Sequence, residues 1–315
     1  MTGAAMKPTL KPTLVTGAAG LVGQAVARKL HALGRPVIAM DRAAQQLSDG
    51  LAVQACDLGD VHRLHALAQE GIDGVVHCGA YSGPMVARDS PHSMVQVNIV
   101  GTANMLELAR VHGARRFVYC SSTSAYGVTP DSDDLPEDTL LRPGSLYGAS
   151  KVASEYLVRA YAQQYGLSGV NIRLSWVYGP RRTTDCVIRT MIEDAQARRP
   201  TRMTFGFDFP RQFIHVDDAV AGLILALDTE APRQHAYNVT GGSRLTLGEV
   251  AALVRTAHPG ADIELQTGDD PVDERQARFS IEAARQDLGY SPKVGLQEGI
   301  ASYSAWLSDP QGQRP

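Results

Sequence analysis

The chain has 315 residues, enough for a large α/β unit with a smaller appended or interleaved region. Its 30 lysines and arginines against 33 acids leave a net charge of −3, and no segment gathers the basic footprint that nucleic acid requires, so no nucleic-acid partner is expected. No run of about 18 apolar residues occurs and the N-terminus lacks an apolar signal core, which predicts a cytoplasmic protein with no membrane partner.

Four cysteines, Cys56, Cys78, Cys120 and Cys186, stand apart without a CxxC pair. They suit a reducing compartment, argue against zinc and read as buried or bystander thiols, so no metal site is expected. The doubled "KPTLKPTL" at residues 7–14 carries prolines that keep the leading segment out of a helix.

From there apolar β-rich runs at 13–16, 36–40, 51–55, 74–77, 117–120 and 170–174 alternate with helical patterns at 21–33, 61–70, 94–112 and 148–165. That alternation predicts an α/β fold: a Rossmann-type doubly wound parallel sheet covered on both faces. After "VYGP" at 177–180 the rhythm changes. Helices at 185–198 and 217–227, short strands at 203–205 and 212–215, a capped helix in "SRLTLGEVAALVRTA" and another in "SIEAARQDLGY" predict a smaller mixed substrate domain over the carboxyl edge of the sheet. The expected division is a nucleotide-binding domain over 10–180, with roughly 212–228 returning to it, and a mainly substrate-binding region over 181–315.

"LVTGAAGLVGQAV" places Gly17, Gly20 and Gly23, with Leu21 and Val22 among them, directly after a strand and at the mouth of a helix. Bare N–H groups and the helix N-terminus suit a pyrophosphate, and glycine best meets the need for positive φ or close backbone approach. Asp41, at the end of the next strand, would accept bonds from the adenosine ribose hydroxyls, which favours NAD; Arg42 beside it weakens that preference. Asp57, followed by Leu58, is placed to meet the adenine, whereas Asp60 is equally a helix cap.

These pieces resemble the extended short-chain dehydrogenase/reductase family, the NAD-dependent epimerase/dehydratase group. "TGAAGLVG", Asp41, "DL" at 57–58, "HCGA" at 77–80, "NIVGTANMLE" at 98–107, "YCSSTSAYG" at 119–127, "YGASK" at 147–151, "VYGP" and "RQFIHVDDA" at 211–219 occur in family order. The resemblance implies that Gly79 and Ala80 line the cofactor, that Asn98 supports the cofactor loop, and that Ser122, Tyr147 and Lys151 form the catalytic set. It also implies a homodimer formed through the helices 94–112 and 148–165.

Tyr147 and Lys151, four residues apart, share one helical face. A free phenol, with pKa about 10, is a poor base at neutral pH, so the phenolate needs the Lys151 ammonium and a positive nicotinamide ring beside it. Lys151 would also bind the nicotinamide ribose. Ser122 would hold the same substrate oxygen as it gains carbonyl character. Thr123 and Ser124 stand where the family's 4,6-dehydratases carry an Asp-Glu pair, which disfavours water elimination.

At the substrate end the pattern departs from the family's nucleotide-sugar enzymes. Trp176 takes the place of an asparagine, Arg211 matches one of two diphosphate-gripping arginines, and Asp270 falls where the second would stand. Arg181, Arg182, Arg275 or Arg278 are candidate replacements, of which Arg181 and Arg275 are the expected substrate contacts. Ser82 in "AYSGPM" and Trp176 are further candidates. The expected function is oxidoreduction of a secondary alcohol on a sugar-type substrate, as an epimerase of a sugar or nucleotide sugar or as a net dehydrogenase of a free sugar, sugar acid or lactone. A non-catalytic NAD-binding protein is the minor alternative.

Overall fold

The computed structural model describes residues 11–130 and 134–309; residues 7–10 of the doubled segment lie outside them. The first half runs β1 (Thr13–Thr16), α1 (Leu21–Ala32), β2 (Val37–Asp41), β3 (Gln45–Gln46), β4 (Ala52–Ala55), α2 (Val61–Leu67), β5 (Gly74–His77), α3 (Pro91–Val95), α4 (Gly101–Val111) and β6 (Arg116–Ser122). Then come α5 (Leu146–Tyr165), β7 (Gly169–Leu174), β8 (Trp176–Tyr178), α6 (Val187–Gln196), β9 (Thr201–Met203), β10 (Pro210–His215) and α7 (Val216–Asp228). The chain closes with β11 (Ala236–Val239), β12 (Arg244–Thr246), α8 (Leu247–Ala257), β13 (Ile263–Leu265) and α9 (Leu296–Ser308).

Eight strands make one sheet in the order β11-β7-β6-β5-β1-β2-β4-β3, parallel except at the β3–β4 edge. Side chains of successive strand residues point to opposite faces. Val15 therefore enters the core under α1 and α7, and Leu14 the one under α2, α4 and α5. Strand order reverses between β1 and β5, and the crevice at that switch point is where such sheets receive ligands.

Local chemistry sets the element ends. Ser145 caps α5 by accepting the Gly148 amide at 3.1 Å, and Gly166, at φ 71°, ends it in the left-handed region that glycine tolerates best. Thr246 and Glu249 form a reciprocal capping box on α8.

Several elements differ from expectation. The helix expected at 94–112 begins at Pro91 and carries a π turn at Gln96–Val100, one extra residue per turn that periodicity does not register. The expected "SIEAARQDLGY" helix shrinks to a π turn at Ala284–Leu288, halted by Gly289 at φ 70°. Strand 212–215 lengthens to β10 and pairs with β8 and β12 in a smaller sheet, so the part that returns to the main sheet is α7 with β11. β9 and β13 pair separately, and α6, α8 and α9 pack with Tyr178, Phe213 and Ile263 in a third core beside the carboxyl edge. Among the described residues no helix is long and apolar enough to cross a membrane.

Candidate active site

The carboxyl ends of β2, β1, β5, β6 and β7, in that spatial order, bring Asp41, Gly17, Gly79, Ser122 and Ser175 along one edge. They line a cavity of about 330 Å³. Gly20, Leu21, Val22, Gly23, Arg42, Asp57, Leu58, Ala80, Ser82, Thr123, Tyr147, Lys151 and Trp176 line it as well, so the structure brings together most of the residues singled out in the sequence.

At the switch point Gly17 takes φ +67°, and a Cβ there would fall 2.8 Å from the Gly79 nitrogen. Gly23 packs harder still: its Cβ would fall 2.2 Å from the Gly17 carbonyl oxygen. The loop is thus closed to side chains and open to a ligand's backbone-sized groups. Gly20 caps α1 without any side-chain bond, leaving the amides of the first turn to an anion. Asp41 accepts the Ala19 and Arg42 amides at 3.0 and 2.7 Å, which fixes its carboxylate at the cavity wall. Asp57 accepts the Gly59 amide at 2.7 Å and lines the cavity, whereas Asp60 caps α2 through the Arg63 amide.

Asn98 is not at the wall. Its amide is buried in the π turn, where it accepts from the Tyr81 N–H at 2.8 Å and donates to the Tyr81 carbonyl and the Ser150 hydroxyl. It therefore acts on the Gly79–Ser82 loop through Tyr81, as a positioning residue behind the wall.

Tyr147 and Lys151 sit on one face of α5, with the Lys151 Nζ 5.6 Å from the Tyr147 ring centroid and 4.9 Å from that of Tyr119. The ammonium donates to the Cys120 carbonyl at 2.7 Å, leaving two further N–H donors. Burial opposes its charge, but the Tyr119 and Tyr147 hydroxyls and the Cys120 thiol outweigh burial and hold the ammonium above its usual range. Ser122 Oγ accepts the Ser124 amide at 3.1 Å, which leaves its proton to Ser124 Oγ at 3.2 Å or to a substrate oxygen. Cys78 and Cys120, expected to be buried or bystander thiols, are free and line the cavity.

At the substrate end the arginine expectations change. Arg181, at φ 71°, carries its guanidinium beside Arg28, Asp49 and Asp217, away from the cavity; Arg182 is the one that lines it. Two adjacent arginines at a turn give no sequence signal for which faces inward. Arg275 pairs with Asp269 at 2.7 Å and lies off the cavity wall. Arg211 stacks 4.3 Å from the Trp176 ring centroid but is bound by Asp270 at 2.7 Å and Asp273 at 2.8 Å, its side chain only 5% exposed. Burial pushes the Asp273 carboxyl up despite the guanidinium beside it. Arg182, Thr183 and Thr184 also line the cavity, and sequence spacing alone did not mark the two threonines. Gln276, also unmarked, donates to the Thr123 and Gly127 carbonyls at 2.9 and 3.0 Å and so braces the turn that presents Ser122.

A crevice with a bare glycine turn at one end and a phenol–ammonium pair with a hydroxyl at the other suits a nicotinamide dinucleotide and an alcohol side by side. The class so defined is a Rossmann-type dinucleotide-dependent oxidoreductase. Residues 13–240 match the NAD dependent epimerase/dehydratase family, and the chain belongs to it. It is accordingly an NAD-dependent enzyme of the extended short-chain dehydrogenase/reductase type. The chain is 30% identical to the UDP-glucose 4-epimerase of Mycolicibacterium smegmatis, over 92% of this chain and 96% of that one. It is 31% identical to a dTDP-glucose 4,6-dehydratase of Streptomyces griseus, over 93% of each. The crystal structure of the Thermus thermophilus UDP-glucose 4-epimerase complex with NAD superposes with a TM-score of 0.83 at 29% identity, over 93% of this chain and 98% of that one.

Proposed function

We propose that this chain oxidises a secondary alcohol of a sugar-type substrate and returns it with inverted configuration, as an epimerase. The observation that carries the reading is the placement of Ser122, Tyr147 and Lys151 in the same cavity as the Gly17 and Gly79 loops. Its epimerase relatives support the direction of the chemistry.

A nicotinamide bound here would supply the hydride acceptor and donor for the carbinol carbon. The glycine turn and the α1 N-terminus would hold its pyrophosphate, and Asp41 would receive the adenosine ribose. Tyr147 removes the hydroxyl proton as the carbon is oxidised and restores it on return. The Lys151 ammonium stabilises the phenolate and has N–H groups to spare for a ribose hydroxyl. Ser122 donates to the substrate oxygen as it becomes a carbonyl. Thr123 and Ser124 supply no carboxyl acid for water elimination, which sets this chain apart from a dehydratase.

A second reading, net dehydrogenation of a free sugar, sugar acid or lactone, is favoured by Arg211. An epimerase must keep its keto intermediate while the ring turns, and remote binding energy holds it there. With Arg211 occupied by two carboxylates, that anchor is weakened and release of ketone and NADH becomes easier.

Absorbance of reduced nicotinamide, with NMR of the sugar, separates the two. Inversion without NADH supports the epimerase, steady NADH supports the dehydrogenase, and neither with any sugar-type alcohol would sink both. A homodimer is supported by the exposed Val111 on α4 and Tyr156 on α5.

A further inference from the structure

We infer that the substrate subsite is built for a single carboxylate on a polyhydroxylated carbon chain, a sugar acid, and is closed to a nucleotide diphosphate. The inference rests on the proposed chemistry at Tyr147 and names the substrate class for that site.

Cations decide which anions a site accepts, and their partners decide whether they are available. Beyond Ser122, toward the β7 end, two guanidinium groups lie against Trp176: Arg211 at 4.3 Å and Arg182 at 5.7 Å from its ring centroid. Arg211 is closed. Asp270 and Asp273 occupy its Nη2 and Nε edges, all three side chains are at least nine-tenths buried, and the trio carries no net positive charge. A diphosphate at Arg211 would have to compete with the two carboxylates already on its Nη2 and Nε edges, and displacing them would leave both acids buried without their partner.

The geometry of that lock is itself braced. Asp270 Oδ1 accepts the amides of Val272 and Asp273 at 2.8 and 3.1 Å, which forms the turn that presents both acids to Arg211. Asp273 Oδ1 in turn accepts the Glu274 amide at 3.0 Å, so both carboxylates are tied to the backbone of that turn.

Arg182 is open in the sense that matters. Its nitrogens donate to the carbonyls of Val177, Thr184 and Asp185, neutral acceptors that orient the group without cancelling its charge. A guanidinium has five N–H donors, so two remain. Arg182 lines the cavity with Thr183 and Thr184, and Ser82 and Ser124 line the same cavity. One unneutralised guanidinium among hydroxyl groups matches one carboxylate and several alcohols. It falls short of the two negative charges and the base of a nucleotide diphosphate.

Two measurements test this. UDP is titrated calorimetrically into the NAD-loaded protein: no binding up to about 1 mM is expected, and a Kd below about 100 μM overturns the inference. Uronic and aldonic acids, the matching neutral sugars and UDP-sugars are then offered with NAD, following both NADH and sugar configuration. Turnover confined to an acid is expected, with Arg182→Ala raising KM for that acid about tenfold to a hundredfold at little change in kcat and Arg182→Lys recovering part of the loss. Turnover of a UDP-sugar, or equal KM values for the acid and its neutral counterpart, overturns it.

Because Arg182 also braces its own loop, a variant that fails to fold leaves the UDP titration of the unaltered protein as the deciding result. Asp270→Asn combined with Asp273→Asn is expected to raise UDP affinity at least tenfold, and unchanged affinity would remove these acids as the block. Tyr147→Phe keeps the two levels apart. Turnover of an acid that survives it would sink the catalytic reading and leave the subsite standing, whereas Tyr147-dependent turnover of a UDP-sugar would do the reverse.

Discussion

The Gly79 amide donates to the Thr16 hydroxyl at 2.9 Å, fastening the residue beyond β5 to the last residue of β1 across the switch point. The remaining protons then have only one arrangement. Thr102 gives its proton to the Asn98 carbonyl at 2.6 Å, so the 3.1 Å contact with His77 Nε2 must be donated by the imidazole. His77 Nδ1 is therefore an acceptor and takes the Thr16 proton at 2.7 Å. Burial, with a smaller contribution from Lys151, pushes the His77 pKa down to about 3, which keeps the ring neutral and the chain of bonds intact.

The first prediction follows from that chain. Thr16→Val preserves shape but leaves the Gly79 amide and His77 Nδ1 without partners, at a cost of about 1–3 kcal/mol for a buried unsatisfied group. Part of that loss falls on the cofactor loop, so the Kd for NAD should rise about tenfold by calorimetry. A Kd equal to that of the parent would mean that the loop is held by other contacts.

A second prediction concerns acid. The folded His77 pKa lies near 3 and the unfolded one near 6.5, so between these values the unfolded chain binds a proton that the folded chain refuses. Stability is fully present above about pH 6.5 and falls as pH drops toward 3, with a limiting slope of about 1.4 kcal/mol per pH unit for this one proton. Urea unfolding between pH 7 and 4.5 should show a shallower decline in His77→Gln than in the parent. Parallel declines would remove His77 from the acid response.

Much of this was legible before the structure. The strand pattern exposes β1, β2 and β6 as runs of four apolar or β-branched residues, β5 as a valine pair before a turn, and β7 as the alternation Val-Asn-Ile-Arg-Leu. β11 was hidden: Ala-Tyr-Asn-Val has no clear period, and only the crossover through α7 brings it beside β7. The glycine loop, Asp41 and the Tyr147–Lys151 spacing are local, so their joint position on one edge could be read directly. The lock on Arg211 is not local. Asp270 lies 59 residues from it, and a pattern that marks Asp270 as an acid out of place says nothing of the ion pair it makes. Arg181 and Arg182 differ only in which side of a turn each leaves, and a positive φ at Arg181 decides it.

Gly23→Ala should weaken cofactor binding severely. The new methyl would lie within 2.2–2.8 Å of the Gly17 carbonyl and the Thr16 oxygen, which are backbone atoms and cannot rotate away. The turn must open, and the amides that face a pyrophosphate separate with it. NAD affinity is expected to fall at least a hundredfold while far-ultraviolet circular dichroism is retained. Unaltered affinity would show that the turn does not carry the pyrophosphate.

Behind the catalytic strand, Glu155 accepts Arg173 at 2.7–3.2 Å and the Ser121 hydroxyl at 2.5 Å, and both side chains of the ion pair are at most 6% exposed. Glu155→Gln leaves the guanidinium buried without its counter-charge, which costs about 3–5 kcal/mol. The urea midpoint should fall accordingly. A loss below about 1 kcal/mol would mean that water, together with the Tyr126 hydroxyl and Glu137 carbonyl that already accept from Nη1, suffices for Arg173.

Tyr147→Phe removes one oxygen from a side chain that is almost fully buried, so the fold and the NAD site should be unaffected. If Tyr147 is the proton acceptor, kcat falls by about two to four orders of magnitude with NAD affinity unchanged. Lys151→Met should act differently. It removes the charge beside Tyr147 and the bond to the Cys120 carbonyl together, so both kcat and NAD affinity should fall. Comparing the two variants separates proton transfer from cofactor binding: equal losses in both quantities for both variants would contradict the division of labour that the 5.6 Å Lys151–Tyr147 geometry implies.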